Sequence, residues 1–549
     1  MQNEQPEKAS PVRAKGNSPG QASDSERRPG KKPTPDQPSP VRAEETNVVA
    51  TEPRWPECDV IVGNPPFLGN KRMRGALGAE YVEALWKLYG NRIPATSDLC
   101  CYWFERARAH IESGKCQRAG LLATTAIKQV GSRQVLHRIA DTGKAFFAIS
   151  DRDWIFDGAS IRISMIGFAA PGCADVPVLD GQPVVAINSD LTSGSDASAL
   201  QKLAGNLNHC FMGTTKVGAF DIEDATARQM LTDLNPDGRA NSDVLRPFRN
   251  GSDLVRQCSN RWIVDFGVDR PMDHAAMYEA PFQYLVRNVK GERERNNRRL
   301  YREKWWIHAE SRPGMRNALG PLSRYIATAR VAKHRLFVWL DTVVLPDSKV
   351  IGVAFDDDAR FGVLQSHLHE LWTLKTCGWH GVGNDATYNP TLCFETFPLP
   401  QPMPEQESAI AAAAKELDSL RNNWLNPPEW TKEEVLEFPG SVNGPWAKYV
   451  QRGTGFQPVS HGQDAHSTVG LVRYPRLVPQ DAEYAAKLAG RTLTNLYNER
   501  PTWLDLAHKK LDAAVSAAYG WPADLSDEEI LKRLLELNLS RASQESKHE

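Results

Sequence analysis

The sequence lacks any run of about 18 apolar residues, which argues against a membrane-spanning helix. Its opening, MQNEQPEKAS, has neither the positive start nor the apolar stretch of a secretory leader, so a cytoplasmic product is expected. Nine cysteines, among them Cys58, Cys100, Cys101, Cys116 and Cys377, show no CxxC or Cys/His ligand spacing. Neither a disulfide framework nor a metal site is therefore expected. An excess of one charge sign is also missing: 66 Lys and Arg stand against 67 Asp and Glu. That balance is poor for a nucleic-acid protein, because phosphate binding depends on positive charge.

The average conceals a local surplus. From Arg287 to Arg335 there are fourteen Lys or Arg against Glu292, Glu294, Glu303 and Glu310. Local potential, rather than the total, decides whether a surface meets DNA.

A length of 549 residues suggests about three domains. Residues 1–50 are rich in Pro, Ser, Lys, Glu and Gln, repeat the string SPVRA, and read as a disordered tail. From there to residue 175 strand and helix patterns alternate, the mark of a parallel α/β sheet. Strands are expected at Asp59 to Val62, Gly120 to Thr124 and Ala145 to Ser150, with helices around Tyr81 to Tyr89, Cys101 to Ile111 and Arg133 to Ile139. The alternating run Ser160 to Phe168 reads as an antiparallel edge strand.

Residues 176–205 read as a connector and 206–404 as a separate α+β module. Residues 405–549 read as a helical region with a polar, Gly-rich insert at 452–470. Two of its helices are expected to be capped by Thr502 and Ser526, each followed three residues later by an acidic side chain.

The chemically distinctive element is Asn64-Pro65-Pro66-Phe67, directly after the first expected strand. Ligands of open α/β sheets bind beyond the carboxyl ends of strands, where this loop falls. An adenine amino nitrogen is a weak nucleophile because its lone pair is delocalised into the ring. Two acceptors holding its hydrogens, the Asn64 side-chain carbonyl and the Pro65 backbone carbonyl, draw it towards a tetrahedral, more reactive form. The prolines stiffen the loop, and Phe67 offers a face to a base turned out of the duplex. A buried Phe after a Pro-Pro turn is the plain structural alternative.

The run DVIVGNPPFLGNKRMRGALGAEYVEALWKLYG, continuing to SDLCCYWFERA, resembles adenine-specific (N6) DNA methyltransferases of the type IIG-like restriction-modification family. The likeness continues through GLLATTAIKQVGSRQVLHRI, DGASIRISMIGF, NSDVLRPFRNG and SRYIATARVAKHRLFVWLDTVVLPDSKVIGVAFDDDARFGVLQS to the C-terminal helices. It implies part of a Rossmann-like class I methyltransferase sheet, a DNA target-recognition domain over 206–404, and a helical C-terminal region. It also implies S-adenosyl-L-methionine as methyl donor, double-stranded DNA as partner and a bacterial cytoplasmic setting. Asn64, Pro65, Pro66 and Phe67 become the catalytic loop, Phe156 a candidate second wall of the base pocket, and Arg324, Arg330, Lys333 and Arg335 candidate DNA contacts.

The sequence departs from the family in one respect. No Gly-rich donor loop and no acidic ribose ligand precede Asn64, and no nuclease segment is recognisable. The expectation is an adenine methyltransferase that is either truncated or relies on an upstream-encoded chain for the donor-binding half. The alternative is an inactive DNA-binding specificity fragment of a restriction-modification system.

Overall fold

The computed structural model describes residues 50–156, 159–193, 200–380, 385–451 and 469–546. The chain divides into Met1–Pro53 and Arg54–Glu549, and every element below belongs to the second unit. The tail expected over 1–50 lies outside the described residues except for Ala50.

The first layer is a six-stranded sheet. In chain order its parts are β1 (Val60–Gly63), α1 (Asn70–Leu77), α2 (Ala79–Tyr89), α3 (Cys100–Glu112), β2 (Arg118–Thr124), α4 (Val130–Thr142), β3 (Lys144–Phe156), β4 (Ala159–Ala169), β5 (Val178–Leu179) and β6 (Gln182–Pro183). The spatial order is β1-β2-β4-β3-β5-β6. β1 and β2 run parallel, while β4 is antiparallel to both β2 and β3. The carboxyl ends of β1, β2 and β3 consequently share one edge of the layer.

Two expectations are corrected here. The run Ser160 to Phe168 is antiparallel but central, hydrogen-bonded to a strand on each side. Its alternating pattern reports two unlike faces, which a helix-covered central strand also has. The supposed connector contributes β5 and β6, and Leu179, Ile187 and Leu191 pack into the same core as β2.

β2 alternates between buried and half-buried positions because α3 and α4 cover one face. Phe104 and Phe168 stack in the core at 6.0 Å, and both are fully buried. Burial of a side chain of that size contributes about 1.5–3 kcal/mol. The buried Glu105 joins the two helices, accepting from Arg108 at 2.9 and 3.0 Å and from Arg138 at 2.9 and 3.1 Å. Such a pair orders the interface, because removing one member would strand a buried charge.

The remainder forms two further cores. One gathers Phe220, Trp262, Tyr325, Phe438 and Trp446; the other gathers Phe337, Trp372, Phe394, Ile410, Leu511 and Leu534. Both cross residue 404, so the expected division between 206–404 and 405–549 does not separate independent cores. Nor is the C-terminal region wholly helical: Thr431–Ser441, Val450–Gln451 and Val469–Pro479 form a three-stranded sheet. Of the insert expected at 452–470, Val469 and Gly470 begin the last strand and the rest lies outside the described residues.

The cap at Ser526 is present, its side chain accepting from the Glu529 amide. The expected cap at Thr502 is not, since that residue is already the first of its helix and Pro501 holds the cap position in an extended conformation.

Candidate functional site

The Asn64–Phe67 loop leaves the carboxyl end of β1 and leads into α1. Asn64 and Pro66 are exposed, Pro65 is buried and Phe67 is half-buried. A cavity of about 410 Å³ opens beside the loop, lined by Trp55, Ile61, Asn64, Pro65, Pro66 and Trp103 among others. Asn64 therefore faces open space, and Phe67 is not sealed in the core, although it is not part of that cavity's wall.

The loop is held from behind. The Leu99 amide donates to Leu68 O at 2.9 Å, and the Asn70 amide donates to Asp98 Oδ1 at 3.3 Å. Asp98 is itself placed by α4, where Ser132 Oγ accepts from the Asp98 amide at 3.1 Å and Ser97 Oγ donates to Gly131 O at 2.9 Å. Gly131 is required at this approach: a Cβ there would lie 2.6 Å from Thr96 Oγ1. Burial pushes the Asp98 carboxyl above its ordinary range, against the pull of the Asn70 amide.

Sequence reasoning did not single out Asp98. The polar pair Ser97-Asp98 before an apolar helix looks like a cap for α3, whereas Asp98 in fact accepts from the first residue of α1.

Phe156 ends β3 and pairs with Ala159 across the hairpin. Beyond Ile163, the last β4 residue paired with β2, the hairpin continues through Arg162, Ile161, Ser160 and Ala159. The Phe156 backbone thus projects past the sheet at the end that bears Asn64.

The four cations expected to meet DNA have different fates. Arg335 is corrected: it is 6% exposed and donates to Thr328 Oγ1, Ala329 O and Ala386 O, so its fork is spent inside the fold. Arg324 is half-exposed, lies 3.7 Å over the Trp339 ring and pairs with Asp358 at 2.9 Å. Lys333 is exposed and donates to Asn498 Oδ1 at 2.7 Å. Arg330 is exposed, and its side chain has no hydrogen-bond or ion-pair partner among the described residues.

Its amide donates to the carbonyl of Lys349, another exposed cation, at 2.7 Å. Arg256, also exposed, pairs with Thr492, at the start of the helix Leu493–Glu499 that carries Asn498. Contacts thus link the segments, distant in sequence, that carry the exposed Arg256, Arg330, Lys333 and Lys349.

Elsewhere in the basic segment Arg293, Arg299, Arg312 and Arg316 are bound to carbonyls or carboxylates, while Arg287, Arg295 and Lys304 have no side-chain partner among the described residues. No group of three or more His, Cys, Asp or Glu among the described residues is placed to hold a metal ion. No helix among them is long and apolar enough to cross a membrane.

No family model matches the sequence, and no curated protein matches it. Solved structures do. Over 88% of its length the chain superposes on the type IIL restriction-modification enzyme MmeI, solved in complex with DNA, at a TM-score of 0.62 and 20% identity. The type IIG restriction endonuclease BpuSI is also found, at a TM-score of 0.22 and 10% identity over 87% of this chain and 54% of that one. The chain spans 57% of the length of the MmeI structure, and within that span the two share a fold.

Proposed function

We propose that this chain is the catalytic-loop and recognition part of a site-specific, adenine-specific DNA methyltransferase of a restriction-modification system. The supporting observation is the position of Asn64: exposed, on a proline-stiffened loop at the carboxyl end of β1, facing a cavity. In this reading the sheet is part of a Rossmann-like methyltransferase fold and the target is an adenine turned out of double-stranded DNA. Asn64 Oδ1 and the Pro65 carbonyl accept the two amino hydrogens, so the nitrogen lone pair is freed from the ring. Buried Pro65 keeps its carbonyl fixed, and Phe67, half-buried on the same loop, offers a ring beside it. Arg256, Arg330, Lys333 and Lys349 hold the phosphate backbone. MmeI, whose fold this chain shares, was solved in complex with DNA, which supports a DNA-binding role in this reading.

S-adenosyl-L-methionine, when bound, supplies an electrophilic methyl group. The residues beside Asn64 do not by themselves suit that donor, because the cavity wall contains no carboxylate for ribose hydroxyls among the described residues. Next to it β1 has one neighbour, β2, and Val60 and Val62 are 49% and 79% exposed. We assign the donor's main contacts to a second polypeptide part that meets this open edge, and derive no step through the donor itself.

The test is transfer of a labelled methyl group to duplex DNA, by the chain alone and together with a polypeptide carrying a Gly-rich donor loop. Transfer is expected only in the combination, and Asn64→Ala should lower it by about 10²-fold or more. Transfer that persists in Asn64→Ala removes the mechanism. Duplex binding without transfer in any combination leaves the second reading, a specificity fragment that binds and does not methylate.

A further inference from the structure

Away from the loop, a cavity of about 540 Å³ is lined by Asp243, Arg246, Asp265, Arg270, Tyr278 and Arg316 among others. A second, of about 360 Å³, shares Arg246, Arg316, Gly444 and Pro445 with it. The two arginines therefore stand between two open spaces. Asp265 is buried and bound in a fork by Arg316, at 2.8 and 2.9 Å. Against the cost of its burial, Arg316 and then His308 hold its carboxyl well below the usual range. That pair is closed on itself.

Arg246 is not closed. Its Nε donates to Val343 O at 2.9 Å and its Nη2 to Thr342 O, which fixes the guanidinium plane. Its Nη1 has no acceptor within hydrogen-bond distance among the described residues, and the nearest carboxylate oxygen, Asp265 Oδ2, is 3.8 Å away. Arg270 makes no ion pair among the described residues and lies over the Tyr278 ring at 5.0 Å. Asp243 Oδ2 accepts from Ser441 Oγ at 2.7 Å and from Tyr278 Oη at 3.4 Å, while its Oδ1, without a hydrogen-bond partner among the described residues, packs on Gly444, where a Cβ would stand 2.7 Å from it.

The larger cavity thus holds three guanidiniums against two carboxylates, one of which is fully engaged by Arg316. A guanidinium locked in plane by backbone carbonyls, with donors left over, is preorganised for a tetrahedral oxyanion. We propose that this cavity is a phosphate-binding site, in which Arg246 and Arg270 grip a phosphoryl group while Arg316 neutralises Asp265 beside it. The group belongs either to a free phosphate compound or to the DNA backbone. The proposal does not depend on methyl transfer.

Thermal unfolding of the full chain in rising sodium phosphate, against sodium chloride at matched ionic strength, tests it. Phosphate is expected to raise the midpoint saturably beyond chloride. Arg270→Gln, with an unchanged midpoint in chloride, should weaken the apparent affinity roughly tenfold, as loss of a charge-assisted hydrogen bond does. Asp243→Asn, which removes a nearby negative charge, should tighten it, a gain that misfolding cannot imitate. Phosphate that displaces a labelled duplex over the same concentration range identifies the DNA backbone as the source. Phosphate that saturates with duplex binding intact identifies a free phosphate compound. Stabilisation no greater than in chloride, or equal in wild type and both variants, overturns the site.

Discussion

β1 and the strand Arg324–Ala329 both anchor the surface that each region offers, yet they are housed differently. The second is bonded to Phe337–Asp341 on one side and Val350–Val353 on the other, and is buried from Tyr325 to Ala329. β1 has a single neighbour and exposes two valines. A strand open on one side retains unpaired backbone groups and apolar area that a further layer would cover. The strand Arg324–Ala329 is thus paired on both sides, whereas β1 stands at an open edge of its sheet among the described residues.

Acid should widen the contrast most. His308, His369 and His508 all lie C-terminal to the sheet that carries Asn64, and burial lowers them to about 4, about 3 and about 4 from an ordinary 6.5. Each stays neutral in the fold while the unfolded chain takes up a proton. Their contribution is present above pH 6.5 and is lost as pH falls towards 4, at roughly 1.4 kcal/mol per pH unit for each histidine. Hydrogen exchange at pH 5 should show protection lost in Trp262–Val264 and Phe337–Asp341 before β2 and β4. The reverse order would contradict the assignment.

Core substitution comes next. Phe337→Ala, at a fully buried position, should cost about 3–5 kcal/mol in denaturant unfolding. Val62→Ala should stay within about 0.5 kcal/mol. A large cost at Val62 would mean that the flank of β1 is covered after all.

A smaller effect belongs to the basic face. Charge reversal at Arg330 and Lys333 together should weaken duplex binding and reduce its salt slope by about two. Anisotropy titrations between low and moderate salt measure this, and an unchanged slope would move the DNA surface elsewhere.

The loop was legible because its signal is local. Asn64 to Phe67 could be read directly because a short apolar strand followed by Asn-Pro-Pro is a contiguous signal, and the helices Pro404–Leu425 and Asp527–Glu545 were readable from apolar spacing. What depended on distant partners was not. Arg330 and Arg335 are five residues apart in one basic stretch, but one is exposed and the other is spent on Ala386 O, 51 residues away. The rank of β4 in the sheet is likewise set by pairing with strands before and after it, which alternation alone does not encode.

The close approach of Gly131 to Thr96 bears on how variation would reach the chemistry. From the first turn of α4 a relay of contacts runs through Ser132, Asp98 and Asn70 to the segment carrying Asn64. Bulk added at Gly131 would push on Thr96 and so on the contacts that hold the loop carrying Asn64. The placement of the Asn64 loop is thus inherited in part from a helix that stands behind it.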